Sequence, residues 1–280
     1  MHPIVNEIRE ALRGIYPDSE ALSLAKMLLV EAFGFSTLEL YGGKDKEISG
    51  NRRDVLDKML LRLQKNEPIQ YVLGKETFCG LDFEVNSHVL IPRPETRELV
   101  EWIVEDRKAD ASCRILDIGT GSGCISVSLA KCLPEAEVEA WDISEGALEV
   151  ARRNAERNDA KVLFCHQDVL AARPGSVFYD VIVSNPPYIT EKEKSDMDAN
   201  VLDWEPSTAL FVPDTDPLLF YRKIAELGLM MLKMRGTLYF EINRMYGQET
   251  VHMLETLGYK HIELRKDEWG NDRMIKACKP

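Results

Sequence analysis

The chain is poor in the residues that most often announce chemistry. Its 280 residues hold six cysteines and five histidines. Cys79, Cys113, Cys124, Cys132, Cys165 and Cys278 form no CxxC pair, and no Cys/His cluster has zinc spacing. Scattered thiols of this kind read as reduced core residues, so neither a metal site nor a disulfide framework is expected. HExxH and GxSxG are both missing, which leaves a zinc hydrolase or a nucleophile-elbow hydrolase without support. The longest apolar stretch, around Leu22 to Phe35, is broken by Lys26 and Glu31 and falls short of the ~20 apolar residues of a membrane span. The opening MHPIVNEIRE lacks the basic flank and apolar run of a signal peptide. The expectation is a cytoplasmic chain with no membrane partner. Positive charge is also scarce: 35 Lys and Arg stand against 47 Asp and Glu, for a net charge of −12. An acidic chain offers no broad footprint for naked nucleic acid, whereas a basic protein remains a possible target.

What is present is core-forming. Hydrophobic residues make up 45% and charged residues 29%, which suits one large domain or two modest ones. Ile4, Ile8, Leu12 and Ile15 recur at helical spacing. So do Leu22, Ala25, Leu28, Leu29 and Ala32, and then Val55, Met59, Leu60 and Leu63. Tyr41-Gly42-Gly43 interrupts the pattern, and Ser49 to Asn51 offers a new helix start. A small helical bundle over 1–75 is expected. Its charges nearly balance, and the acidic excess falls in the rest of the chain. Thr77 to Val85 reads as a hairpin bending near Gly80, and Pro92 and Pro94 close a linker spanning 76–92. From 93 to 280 strands and helices alternate, with strands expected at Cys113–Ile118, Val138–Trp141, Val162–Cys165, Val181–Ser184 and Thr237–Ile242. Helices are expected at Cys124–Cys132, Glu145–Arg157, Leu218–Met234 and Gly247–Leu257, followed by two late strands near His261–Leu264 and Met274–Ala277. Such alternation predicts a doubly wound α/β sheet.

The first of these strands runs into Asp117-Ile118-Gly119-Thr120-Gly121-Ser122-Gly123 and then a helix. Glycines there let a backbone approach a ligand where side chains would collide. The dinucleotide fingerprint would need glycine at 124, but that residue is Cys124, which disfavours a pyrophosphate. The second strand ends at Asp142, just over twenty residues past Gly119, where a carboxylate can accept both hydroxyls of a ribose. The third is followed by Asp168-Val169, a carboxylate for an exocyclic adenine amine and an apolar side chain for the ring. Gly119, Thr120, Gly121, Ser122, Gly123, Asp142, Asp168 and Val169 together point to an adenosine cofactor. S-adenosylmethionine (SAM) fits better than NAD, because no second phosphate cradle is visible.

The next strand opens into Asn185-Pro186-Pro187-Tyr188. Two prolines fix the backbone and remove two donors, and each restrains the residue before it. The Asn185 side-chain oxygen and the Pro186 carbonyl can then accept both hydrogens of a planar NH2 group, with the Tyr188 ring as a face for it. That arrangement suits methylation of an sp2 nitrogen, whose delocalised lone pair makes it a poor nucleophile. Held in line with a sulfonium methyl, the nitrogen gains orientation and electrostatic support. The motif alone leaves adenine, guanine and glutamine nitrogens open as substrates.

Further motifs narrow the choice. Glu67-Pro68-Ile69-Gln70-Tyr71-Val72-Leu73-Gly74, Phe78 and Gly80, and Val89-Leu90-Ile91-Pro92-Arg93-Pro94-Glu95-Thr96 precede the glycine loop. Asp117 to Gly123, Val181 to Ile189, Glu205-Pro206 with Ala209-Leu210, and Lys266-Asp267 with Gly270 and Asp272-Arg273 follow in order. In these motifs the chain resembles the HemK/PrmC family of release-factor glutamine methyltransferases. The resemblance implies an amino-terminal domain that recognises a class I release factor. It also implies a seven-stranded methyltransferase domain acting on the glutamine of the factor's GGQ tip. Gly119 to Gly123, Asp142 and Asp168-Val169 would bind SAM, Asn185 to Tyr188 would hold the glutamine, and Pro92 to Thr96 would help close the cofactor pocket. The chain departs from the pattern in three places. Arg97 stands where many members carry an acid, a longer turn, Asn243 to Gln248, follows Glu241-Ile242, and Val169 stands where some relatives have a bulky aromatic. A sister family that methylates a ribosomal protein shares this chemistry, and a nucleic-acid amino methyltransferase is the more distant alternative.

Overall fold

The computed structural model describes residues 1–42, 47–110 and 112–280, so Gly43 of the expected helix break lies outside the described residues. The chain divides into two compact units. One comprises Met1–Lys75 together with Asp198–Trp204, the other Glu76–Met197 and Glu205–Pro280.

The first unit is helical: α1 (Pro3–Ala11), α2 (Asp18–Phe33), α3 (Thr37–Gly42), α4 (Asn51–Leu63) and α5 (Ile69–Leu73). Pro3 starts α1, where its missing N–H costs nothing, and the His2 ring nitrogen accepts from the Ile4 N–H at 3.3 Å. Ile4, Ile8, Leu12, Ala25, Leu28, Leu29, Leu56, Leu60 and Leu63 meet in one core. The expected stripes hold with three changes. Helix α1 ends at Ala11, which leaves Ile15 exposed, α2 turns Phe33 rather than Ala32 inward, and α4 turns Leu56 rather than Val55 inward. Arg62 locks the end of this unit. Its guanidinium forks onto Glu67 at 2.5 and 2.8 Å and donates to the Tyr71 and Val72 carbonyls at the close of α5.

The second unit opens with a hairpin, β1 (Lys75–Phe78) and β2 (Leu81–Glu84), followed by α6 (Pro94–Arg107). The alternating part then runs β3 (Arg114–Ile118), α7 (Cys124–Cys132), β4 (Glu137–Asp142), α8 (Glu145–Arg157), β5 (Val162–His166), β6 (Tyr179–Ser184) and the short β7 (Ile189–Thr190). Helices α9 (Ala199–Trp204, which belongs to the helical unit) and α10 (Ser207–Leu210) lead to β8 (Phe211–Val212), which pairs with β7. The chain closes with α11 (Leu219–Met231), β9 (Leu232–Glu241), α12 (Gly247–Thr256), β10 (Lys260–Lys266) and β11 (Asp272–Cys278).

Seven strands form one sheet in the order β10-β11-β9-β6-β3-β4-β5. Strands β9, β6, β3, β4 and β5 are parallel, while β11 runs antiparallel to both neighbours. The sheet is therefore doubly wound, with a mixed edge. Buried on both faces, its central strands read as continuous apolar runs. Ile115, Val181, Val183 and Tyr239 point into the layer with Leu99, Ile103, Val127 and Leu129. Leu116, Ile182, Leu238 and Phe240 point into the layer with Tyr221, Ile224, Leu227 and Leu254. Strand β9 is longer than its apolar core, since Lys233, Met234 and Arg235 extend it with exposed residues that give no strand signal. No helix among the described residues is long and apolar enough to cross a membrane.

Candidate active site

The carboxyl ends of the parallel strands face a cavity of about 400 Å³, within the usual range for a small-molecule site. Gly119, Thr120, Gly121 and Ser122 line one side, Asp142 and Asp168-Val169 another, and Asn185, Pro186 and Pro187 a third. Residues 88–93, then Pro206, Thr208, Ala209 and Phe211, and also Thr96, Phe220 and Ile224, add to the wall. Two expected residues stand behind this lining. Gly123 heads α7 and packs against α8, and Tyr188 lies against the core cluster that holds Tyr221 and Phe240.

The glycine loop is shaped by backbone. Gly119, Gly121 and Gly123 have φ of 76°, 55° and 81°, values that side chains resist. The N–H groups of Gly119 and Thr120 both donate to the Trp141 carbonyl, at 2.9 and 3.0 Å, which ties the loop to the end of β4. A Cβ at Gly123 would stand 3.2 Å from Ala151 Cβ, so the close approach of α7 and α8 requires glycine there. Below the loop, Thr120 donates to Asp117 Oδ2 at 2.6 Å. Burial pushes the Asp117 carboxyl up to about 7, against the pull of the Thr120 and Ser126 hydroxyls, and its Oδ1 is buried with no partner. Asn154 fastens the loop from α8: its Nδ2 donates to the carbonyls of Ser122 and Glu84 at 2.9 and 3.0 Å.

Asp142 is already part of this scaffold. Its two oxygens accept from the N–H groups of Gly121 and Ser144, each at 2.9 Å. Burial raises its proton affinity, and those backbone donors oppose the rise. A carboxylate has about four acceptor sites, so two remain for a ligand. Asp168 Oδ1 accepts from the Leu170 N–H at 2.8 Å, which turns the chain after β5 and brings Val169 to the cavity.

The Asn185–Tyr188 turn is held by side chains rather than by glycines. Ser184 Oγ donates to the Ile118 carbonyl at 2.6 Å, which fixes the end of β6 beside β3. A Cβ on Gly119 would lie 4.0 Å from the Asn185 carbonyl oxygen, so the two loops meet. Asn185 Nδ2 donates to Thr96 Oγ1 at 3.3 Å, and Thr96 donates to Glu241 Oε2 at 2.6 Å. The Tyr188 hydroxyl donates to Glu241 Oε1 at 3.1 Å, and Asn243 Nδ2 donates to the Tyr188 carbonyl at 3.0 Å. Burial pushes the Glu241 carboxyl up, while the Thr96 hydroxyl, the Arg273 charge and the Tyr188 hydroxyl pull it back. Arg273 in turn bonds Asp267 at 3.2 Å.

The wall over residues 88–93 has its own anchor. Arg93 Nη2 donates to the buried Glu205 at 2.5 Å, and the Ile91 N–H donates to the same carboxylate at 3.3 Å. This pair joins two segments that both line the cavity. Arg97 faces away from that role and binds Glu268 at 3.1 Å. The turn after β9 forms a 3₁₀ segment at Arg244–Tyr246, with the Asn243 side chain accepting from the Met245 N–H at 2.9 Å. Asn154 carries no local motif for this work. Glu241 and Glu205 stand in the Glu241-Ile242 and Glu205-Pro206 segments named above, but neither segment signals what its carboxylate packs against.

Comparison with known proteins places the chain in a family. Residues 4–74 match the PrmC N-terminal domain and residues 95–203 the methyltransferase small domain. The release factor glutamine methyltransferase of Bacteroides thetaiotaomicron is 52% identical over 99% of each chain. The release factor glutamine methyltransferase of Flavobacterium psychrophilum is 45% identical over 96% of this chain and 95% of its own. At the level of fold alone, a methyltransferase from Pyrococcus furiosus superposes with a TM-score of 0.52, at 21% identity over 80% of this chain and 98% of that one. With more than half of its residues shared with a relative along the full length, this chain belongs to the SAM-dependent release factor glutamine methyltransferase family.

Proposed function

We propose that the chain methylates the side-chain amide of the glutamine in the GGQ tip of class I release factors, with SAM as methyl donor. The observation that carries the reading is the meeting of the glycine loop and the Asn185–Tyr188 turn at one cavity. The cavity suits SAM. Its volume fits a nucleoside, the Asp142 carboxylate has acceptor sites left for ribose hydroxyls, and the Asp168-Val169 pair offers an acid and an apolar face for adenine. Gly119 to Gly123 keep that end free of side chains.

SAM, when bound, supplies an electrophilic methyl group and leaves as S-adenosylhomocysteine. The residues of this chain prepare the acceptor. Asn185 Oδ1 and the Pro186 carbonyl accept the two amide hydrogens, which orients the nitrogen and stabilises the positive charge that grows on it. Pro186 and Pro187 fix those carbonyls without offering N–H groups that would compete. The alkylated amide is strongly acidic and sheds its extra proton to water, so no general base is needed. The helical unit is the docking element for the release factor, and the acidic excess of the rest of the chain favours a basic protein over a phosphate backbone. Such a substrate places the enzyme in the cytoplasm.

Labelled SAM should be offered with a release factor, a ribosomal protein and DNA side by side. Label is expected on the release factor alone, and a factor carrying glutamate in place of the GGQ glutamine should take none, because a carboxylate has no NH2 to hold. Comparable labelling of DNA, or persistent labelling of the glutamate variant at that residue, contradicts the reading.

A further inference from the structure

We infer that Thr96 and Glu241 are positioning residues that set which way the Asn185 amide points, and so decide whether the site offers the substrate an acceptor or a donor. The inference rests on the role proposed above for Asn185. An asparagine side chain has two faces of nearly equal shape, one oxygen and one NH2. Only the oxygen can hold the NH2 of a glutamine. Turned over, Asn185 would set its own NH2 against the substrate's, two donors with no acceptor between them. The Pro186 carbonyl cannot make this error, since its direction is fixed by the backbone. Asn185 therefore needs something behind it that tells its two ends apart.

The structure supplies a one-way chain of hydrogen bonds. Glu241, as a carboxylate, can only accept. It accepts from Thr96 Oγ1 at 2.6 Å, and this commits the single hydroxyl proton of Thr96. With its proton spent, Thr96 Oγ1 can only accept, and it does so from Asn185 Nδ2 at 3.3 Å. Nδ2 is thus drawn toward Thr96, and Oδ1 is turned the other way. The second carboxylate oxygen is occupied by the Tyr188 hydroxyl at 3.1 Å, so one acid orients both ends of the Asn185–Tyr188 turn. Thr96 and Glu241 are buried, at 3% and 1% exposure, so water cannot readily replace either link. Burial without solvent makes a hydroxyl hydrogen bond to a charged group one of the stronger neutral–ion contacts, and the low dielectric sharpens the preference for one amide orientation.

Residues 96, 185 and 241 are brought together from the start of α6, the end of β6 and the end of β9. Substituting any one is expected to act through the same final group. That gives a signature that simple loss of packing lacks.

The test is a set of turnover measurements on the full chain with a release factor, paired with calorimetric SAM affinity. Thr96→Val keeps the shape and removes the relay. It should lower kcat about tenfold or more, the size of one charge-assisted hydrogen bond at a reacting centre, with SAM affinity within about twofold of the parent. Thr96→Ser restores the hydroxyl and should recover most of that loss. Glu241→Gln, which lets an amide donate to Thr96, should lower kcat like Thr96→Val. In an Asn185→Ala background, Thr96→Val should add less than about twofold, because the group it positions is gone. Full additivity of those two substitutions, lost SAM affinity in Thr96→Val, or no recovery in Thr96→Ser overturns the inference. Lost kcat in Asn185→Ala beside unchanged kcat in Thr96→Val sinks the inference alone. Unchanged kcat in Asn185→Ala sinks the role of Asn185, and this inference with it.

Discussion

The two loops that meet at the cavity are built by opposite means. The loop over Gly119–Gly123 is shaped by what it lacks: three glycines at positive φ, and N–H groups satisfied by the Trp141 carbonyl and the Asp142 carboxylate. The Asn185–Tyr188 turn is shaped by what stands behind it: two prolines, then Thr96, Glu241 and Asn243. The first draws its partners Trp141, Asp142 and Asn154 from no more than 32 positions away. The second depends on residues as far away as Glu241. The difference teaches a division of labour. A loop of bare backbone can take a cofactor closely but cannot choose an acceptor, whereas a turn backed by a committed hydrogen-bond chain can. Substitutions on one side should therefore move binding, and substitutions on the other should move turnover.

The largest effect is expected on the turnover side. Asn185→Ala should lower kcat by ~10²-fold or more, the usual cost of losing a preorganised group at a reacting centre, and calorimetry should find SAM affinity nearly intact. Next comes the binding side. Asp142→Ala should weaken SAM and S-adenosylhomocysteine alike by about 1.5–3 kcal/mol, since the ribose contact proposed for Asp142 is common to both. Unchanged affinity for both in titration would break the comparison at its cofactor end.

Smaller effects fall on stability. Gly123→Ala places a side chain at φ 81° and a Cβ 3.2 Å from Ala151 Cβ. About 1–2 kcal/mol should be lost in denaturant unfolding, with kcat per folded molecule largely kept. The last effect, read as a pH dependence, concerns Asp117. Burial raises its carboxyl from the ordinary 3.8 to about 7, so the folded chain keeps a proton that the unfolded chain has released. The stability this group contributes is full below its unfolded value and is lost as pH rises from about 4 through about 7. Asp117→Asn does not titrate. The Tm of the parent relative to this variant should therefore fall across that window, and parallel Tm curves would show that Asp117 does not carry the proton.

The same contrast explains what was legible in the sequence. Gly119 to Gly123 and Asn185 to Tyr188 are contiguous, and their conformations follow from glycine and proline chemistry, so both loops could be placed at strand ends. Asp142 and Asp168 followed from the strand pattern. The order of strands along the chain was also readable, because the apolar runs Val181–Val183 of β6 and Leu238–Phe240 of β9 are strong. The supporting residues were not. Thr96 and Glu241 lie 145 positions apart, and neither has a local pattern that says the other is near. Asn154 looks like any polar helical residue until it bonds Ser122 and Glu84. Glu205 reads as a charge before a proline, yet its carboxylate is buried against Arg93. Local chemistry shows where a loop turns. What it rests on is set by tertiary packing, which periodicity does not encode. Strand β9 shows the same limit, since its exposed Lys233–Arg235 stretch falls in a register shift against β6, between the Tyr179–Leu232 and Val181–Thr237 pairs.

The most direct test of the division of labour is the rate of methyl transfer to a release factor, followed in a single turnover as SAM is raised to saturation, for the parent, Asp142→Ala and Asn185→Ala. If the glycine loop side binds and the Asn185 side prepares the acceptor, Asp142→Ala should climb to the parent rate at high SAM, while Asn185→Ala should saturate at the parent's SAM concentration and stay ~10²-fold slow. Recovery of Asn185→Ala at high SAM, or a persistent deficit in Asp142→Ala at saturation, would contradict it.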